Sequence, residues 1–177
     1  MVPNEIPSWA TKAPYAPPAN DFDIKLQGSC HCGHVKYNLS RDKPLASKFC
    51  HCNDCKIIHG APFQWATVFH KEDLSFPNLD TESLKFYNSS FHEEGEGKVQ
   101  LPHKVACKHC GTWLFDEGRN MILLFPTTVQ FKSTAARRKF DVQMHLFYGN
   151  RECDIPDGTP KWSGLDEKSD LMDERQR

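Results

Sequence analysis

Three cysteines within six residues are the feature that most restricts how this chain can fold. The segment reads Cys50-His51-Cys52-Asn53-Asp54-Cys55, and its three thiols, here called the thiol trio, can converge on one metal ion. Zinc binds such sulfur ligands at about 2.3 Å in tetrahedral sites. Three protein ligands leave a fourth position for water or substrate, whereas four are typical of a structural site. The trio therefore predicts a zinc centre whose fourth ligand decides its role.

Four further cysteines form two pairs that lie far apart in the sequence. Cys30 and Cys32 are separated by one residue, and Cys107 and Cys110 have the spacing of a zinc knuckle. We expect the two pairs to complete one structural zinc site that joins an early turn to a late one. Such a zinc contributes on the order of 10 kcal/mol to folding in small peptides. The sequence thus predicts two zinc ions, a structural one on the two pairs and a second one at the trio, which is catalytic if its fourth position is open.

The eight cysteines also bear on the cellular compartment. The first seven residues lack the charged and apolar regions of a signal peptide, so we expect a cytoplasmic protein. Thiols stay reduced in the cytosol, which favours metal ligands over disulfides.

The fourth ligand of the trio zinc is left open by the sequence. Cys153 could close the site and give two filled structural centres, although it stands alone in a polar segment. His51, His59 and His109 are the other candidates. If the position is open, three thiolates make the zinc a weaker Lewis acid, which favours holding a substrate thiol as its thiolate. A zinc-bound thiolate suits the addition of a thiol to a small carbonyl, or the reverse cleavage of a carbon-sulfur bond.

Short alternating segments predict a mostly-β fold with few or no long helices. Val35, Tyr37 and Leu39 alternate with polar residues, and residues 63–69 are rich in aromatic and β-branched side chains. The other predicted strands cover 74–76, 84–87, 99–105, 112–116, 121–125 and 144–148. A single helical turn is predicted for residues 53–59, and a polar loop for 93–97.

Composition predicts how the chain is divided and what it does not bind. Five prolines in residues 1–22 favour an arm lying on the surface, residues 23–165 form the zinc-binding domain, and residues 166–177 form a charged tail. Lys plus Arg number 22 against 23 Asp plus Glu, so we expect neither nucleic acid nor a membrane as partner. The basic run 137–139 is interpreted as a solvated turn. A homodimer is compatible with the sequence.

Three cysteine motifs in order carry a resemblance to a known family. They are Gly28-Ser29-Cys30-His31-Cys32-Gly33-His34-Val35, Cys50 to Cys55 followed by Gly60-Ala61-Pro62-Phe63, and Cys107-Lys108-His109-Cys110-Gly111-Thr112. A weaker match is His145-Leu146-Phe147 with residues 155–160. The chain resembles the glutathione-dependent formaldehyde-activating enzyme (GFA) family, which also includes centromere protein V.

The resemblance implies a fold, two metal sites and an activity. The fold would be of the Mss4-like zinc-binding type, with a structural zinc on Cys30, Cys32, Cys107 and Cys110. A second zinc on Cys50, Cys52 and Cys55 would lie near bound glutathione. The implied activity is formation of S-hydroxymethylglutathione from formaldehyde and glutathione, which is a carbon-sulfur lyase reaction run in reverse.

Four hypotheses follow for function. The first is a zinc lyase or synthase that joins glutathione to a small carbonyl, with His51 or another nearby histidine moving protons. The second keeps the zinc enzyme but changes the thiol or metabolite, because Lys56 is followed by apolar Ile57 and Ile58. The third is a non-enzymatic, zinc-stabilised interaction module. The fourth is methionine sulfoxide reduction with Cys153 as the reactive thiol.

Overall fold

The computed structural model describes residues 8–88 and 103–173, and β-strands dominate these two ranges. The strands are β1 (Leu26–Ser29), β2 (Lys36–Leu39), β3 (Ala46–Cys50), β4 (Gln64–His70), β5 (Leu74–Ser75), β6 (Leu84–Tyr87), β7 (His103–Cys107), β8 (Trp113–Glu117), β9 (Met121–Leu124) and β10 (Met144–Leu146). Within the described ranges the helices are α1 (Asn53–His59) and α2 (Thr134–Arg138), with several single 3-10 turns. The mostly-β prediction is therefore confirmed.

The strands form two sheets. The larger has the order β10-β3-β4-β9-β8-β7-β6, and the smaller has the order β1-β2-β5. All pairings are antiparallel except that of β10 with β3. Strand β3 is held on both sides, with Cys50 opposite Gln64 on β4 and Leu146 on β10. The trio therefore begins at the end of a strand that two neighbours fix in place.

Side chains from both sheets share one hydrophobic core. Tyr37 and Leu39 of the small sheet pack with fully buried residues of the large sheet, among them Val105, Phe115 and Leu124. Cys30 and Cys107 belong to the same buried cluster. The core thus brings the first and third cysteine motifs together before any metal is considered.

The alternating patterns predicted most strands well. Helix α1 covers the predicted residues 53–59 and ends at Gly60, whose φ is +56°. Strand β10 stops at Leu146, earlier than predicted, because Phe147 takes φ +54° and turns the chain. No strand was predicted for residues 46–50, which form β3. The basic run 137–139, predicted as a turn, begins inside α2. Arg137 there stacks on the Trp65 ring at 4.4 Å.

The N-terminal segment, predicted as an arm lying on the surface, makes side-chain contacts with the large sheet. Residues Ser8–Thr11 form a 3-10 turn, and the buried Tyr15 donates a hydrogen bond to Glu117 at 2.6 Å. Trp9 and Tyr15 also make edge contacts with Phe86. The prolines predicted an extended chain, but the aromatic residues between them supply apolar surface that the core can bury.

The ends of the proposed domain remain predictions. The first part of the predicted tail contacts the domain, since Leu171 bridges to Trp162 and Asp166 pairs with Lys48. The boundaries at residues 22 and 165 therefore stay predictions. The predicted loop at 93–97 and the start of the predicted strand at 99–105 lie outside the described residues.

Candidate metal and active site

Four cysteines from two distant turns meet in one cluster. The Sγ atoms of Cys30, Cys32, Cys107 and Cys110 all lie within 4.8 Å of one another. Each pair is followed by a glycine with positive φ, +76° at Gly33 and +73° at Gly111. These turns let the chain reverse tightly around the sulfurs, a conformation that residues with a Cβ rarely adopt. The four-cysteine cluster has the ligand number and type of a closed structural zinc site.

The thiol trio forms at the junction of β3 and α1. Cys52 is the N-cap of α1, and its Sγ accepts a hydrogen bond from the Cys55 backbone N–H at 3.4 Å. The Cys50 and Cys55 sulfurs are 3.6 Å apart, and all three lie within 4.8 Å of one another. One turn of helix thus brings the third thiol back to the first two.

The trio gains no fourth ligand from the part of the chain that the structure describes. The group of mutually close donor atoms contains Cys50, Cys52 and Cys55 alone, and neither Cys153 nor any of the three candidate histidines joins it. Cys153 is exposed, and its neighbour Arg151 pairs with Asp154 instead. Among the described residues the site is therefore a group of three thiols without a fourth donor atom close to all three.

A buried polar cluster lies beside the trio. The Lys104 ammonium donates to both Asp116 carboxylate oxygens at 2.8 and 2.9 Å and to Gln64 Oε1 at 3.2 Å. Hydrogen bonds from the Cys50 and Cys55 thiols lower the pKa of Cys52 well below its ordinary value, and the Lys104 charge adds to this effect. The sequence interpretation missed this cluster, although a lysine inside a buried strand was a usable signal.

The His51 side chain is buried rather than exposed to solvent. It is 1% exposed, and its Nε2 lies 2.9 Å from Nδ1 of the fully buried His145. Burial, followed by the neighbouring basic groups His145 and Lys56, lowers the pKa of His51 to about 4. His145 in turn bonds to Asp157 Oδ2 at 2.9 Å. The sequence comparison included the segments of His145 and Asp157 but assigned them no role.

A cavity of about 530 Å³ lies beside α1. It is lined by Asn53, Lys56, Ile57, Gly60, Ala61, Pro62 and Glu152. Lys56 pairs there with Glu152, and Ile57 is 78% exposed. The lining of the cavity is therefore largely apolar, and Lys56 within it is already paired with the Glu152 carboxylate.

Fold and site together define a class, a mostly-β domain with one four-thiol and one three-thiol cluster, both suited to zinc. Similarity to known proteins identifies the family within this class. The chain belongs to the family described as glutathione-dependent formaldehyde-activating enzyme, whose profile matches residues 25–150. The expected family is thus confirmed.

Two individual proteins are similar to parts of the chain. An uncharacterized lyase of Schizosaccharomyces pombe is 28% identical over 92 residues, which are 51% of this chain and 56% of the relative. The chain therefore spans little more than half the length of that relative. A crystal structure of a Rhodobacter sphaeroides protein has a TM-score of 0.46 at 18% identity, with 66% of this chain and 96% of that one covered.

The helices of residues 8–88 and 103–173 are short. None has the length and apolar character to cross a bilayer.

Proposed function

We propose that this protein is a zinc-dependent carbon-sulfur lyase that adds a thiol, with glutathione as the first candidate, to a small carbonyl such as formaldehyde. The observation that carries the proposal is the three-thiol group with no fourth ligand among the described residues. Membership of the GFA family and the lyase name of the yeast relative support it.

The donor sets fit two zinc ions. Seven thiols divide into a group of four and a group of three, each with sulfurs close enough to share one ion. We assign the four-cysteine cluster to a structural zinc and the trio to a catalytic one. When bound at the trio, zinc supplies a thiolate nucleophile at neutral pH.

The reaction requires little more than a positioned thiol and a route for one proton. The substrate thiol loses its proton, its sulfur bonds to the carbonyl carbon, and the carbonyl oxygen gains a proton to become a hydroxyl. The product is the hydroxymethyl thioether, with all atoms of thiol and aldehyde retained. We assign the proton transfer to His51, the buried imidazole within the trio segment.

A second candidate keeps the chemistry but changes the thiol. Lys56 is paired with Glu152, and the exposed Ile57 borders the cavity beside α1. A less charged thiol than glutathione would suit this cavity, because the lysine is not free to bind a carboxylate. Stronger thermal stabilisation by an uncharged thiol than by glutathione would favour this candidate.

Exchange between formaldehyde and its glutathione adduct, followed by NMR, tests the proposal. The thiol adds to formaldehyde unaided, so the rate with zinc-loaded protein is compared with the background. We expect acceleration by the wild type and by Cys153→Ser, whose thiol is exposed and outside both clusters. Cys52→Ser should return the rate to background. Full activity in Cys52→Ser would refute the role of the trio.

A further inference from the structure

Four polar side chains form a continuous chain that leads away from His51. His51 Nε2 meets His145 Nδ1 at 2.9 Å, and His145 Nε2 meets Asp157 Oδ2 at 2.9 Å. Lys161 Nζ donates to the other Asp157 oxygen at 2.7 Å. His51, His145 and Lys161 are each no more than 2% exposed. Buried polar groups lose free energy of solvation unless they form hydrogen bonds. Each contact in this chain must therefore join one donor to one acceptor.

The Asp157 carboxylate sets the direction of these hydrogen bonds. Hydrogen bonds from Lys161, His145 and Thr159 outweigh the effect of burial and hold the pKa of Asp157 well below its ordinary value. An ionised carboxylate can only accept, so Nε2 of His145 carries the hydrogen. With a single hydrogen on each of the two rings, Nδ1 of His145 then accepts, and Nε2 of His51 donates to it.

This order leaves one atom without a partner. His51 Nδ1 is buried and has no hydrogen-bond partner among residues 8–88 and 103–173, and in this order it carries the lone pair. Buried polar atoms without partners are uncommon in folded proteins and call for an explanation such as a catalytic role. A ring nitrogen without hydrogen can accept a hydrogen bond, so Nδ1 is the atom of His51 left open to a further donor.

We propose that His145 and Asp157 are positioning residues that hold His51 in the tautomer with hydrogen on Nε2 and none on Nδ1. Lys161 keeps the Asp157 carboxylate oriented toward His145. The proposal rests on the proposed function for the role of His51, but the tautomer itself can be observed without any assay of activity.

The first test is nitrogen NMR of the imidazole rings in the zinc-loaded, 15N-histidine protein. The two tautomers give distinct nitrogen shifts and couplings, and a His51→Asn sample identifies the signal. We expect His51 with hydrogen on Nε2. A hydrogen on Nδ1 of His51 would overturn the proposal, whatever the activity of the protein.

The second test is Asp157→Asn, with Asp154→Asn as the matched control. Both residues lie in the same segment and pair with a cation, but Asp154 pairs with Arg151 rather than with the histidine chain. We expect Asp157→Asn to lower kcat about 10- to 100-fold with little change in KM, the size of loss typical when the hydrogen-bond partner of a metal-bound histidine is removed. The control should keep its kcat. Zinc content and melting temperature establish that both variants are folded and loaded.

The outcomes separate this proposal from the proposed function. If wild-type exchange is fast but Asp157→Asn changes neither kcat nor the His51 tautomer, the positioning role is wrong and the lyase stands. If no exchange is accelerated, the lyase proposal fails, and a shift of the His51 tautomer in Asp157→Asn still supports positioning. If Asp157→Asn does not fold, the wild-type tautomer alone decides.

Discussion

Gly28→Ala should destabilise the protein strongly, although it adds one methyl group. Gly28 lies on β1 opposite Tyr37 of β2, two residues before Cys30. A Cβ at position 28 would lie 2.1 Å from Cζ and 2.3 Å from the hydroxyl oxygen of the tyrosine. Ordinary contact between carbon atoms is about 3.5–4.0 Å, so the ring must move by more than an ångström.

The surroundings of Tyr37 set the magnitude. The residue is 1% exposed, and its hydroxyl bonds to Thr128 Oγ1 at 2.6 Å. Forcing atoms into a packed core costs about 1–3 kcal/mol, and the lost hydrogen bond costs about 1 kcal/mol more. We therefore expect Gly28→Ala to lower the free energy of unfolding by about 2–4 kcal/mol.

Urea unfolding of the zinc-loaded protein at fixed free zinc measures this loss, since bound metal contributes to stability. Gly149→Ala is the control, because a Cβ there would meet Met172 at an ordinary 3.8 Å. Its effect should stay within about 0.5 kcal/mol. In a Tyr37→Ala background, Gly28→Ala should cost almost nothing. Wild-type stability in the single Gly28→Ala variant would refute the reasoning.

Three further predictions concern the buried carboxylate, the metal clusters and the lone thiol. Burial alone would raise the pKa of Glu117, but hydrogen bonds from His103, Lys71 and Tyr15 outweigh it and lower the pKa. The ionised Glu117 therefore stabilises the protein fully above the ordinary glutamate pKa, and this stabilisation is lost as the pH falls through the lower pKa of the folded state. The free energy of unfolding of Glu117→Gln, measured in urea at a series of pH values, should fall less on acidification than that of the wild type. An equal fall in the two proteins would contradict this prediction. Cys107→Ser should lower the free energy of unfolding in urea by about 4 kcal/mol, because the four-cysteine cluster closes a loop of about 75 residues. The trio closes only a local turn, so Cys52→Ser should lower it far less. Cys153→Ser should leave exchange and zinc content unchanged; lost activity would instead favour a reactive role for this exposed thiol.

Local sequence patterns predicted the parts of the fold that depend on neighbouring residues. Alternation marked β2, and the run from Asn53 to Gly60 marked α1. Cysteine spacing divided seven thiols into the same two groups that the structure brings together. These features depend on periods and spacings of a few residues, which a sequence displays directly.

Long-range pairings explain most of what the sequence did not predict. Residues Ala46–Cys50 become a strand because β4 and β10 flank them, and β10 comes from almost a hundred residues later. The contact of His51 with His145 spans 94 positions, and that of Lys104 with Gln64 spans 40. Tyr15 is buried because Glu117 lies opposite it across 102 positions. No local pattern reports such distances, so these groups emerge only from the folded sheet.

The central claim is that a metal ion held by the thiol trio would accept a substrate thiol as its fourth ligand. Cobalt substituted for zinc reports this directly, because each thiolate that joins cobalt strengthens its sulfur-to-metal absorption. Adding glutathione to the cobalt-loaded wild type should raise that absorption by about one thiolate, and Cys52→Ser, which retains the four-cysteine cluster, should show no such rise. An unchanged wild-type spectrum at saturating glutathione, with two cobalt ions bound per chain, would contradict glutathione as this ligand. An unchanged spectrum with every thiol tried would contradict the claim itself.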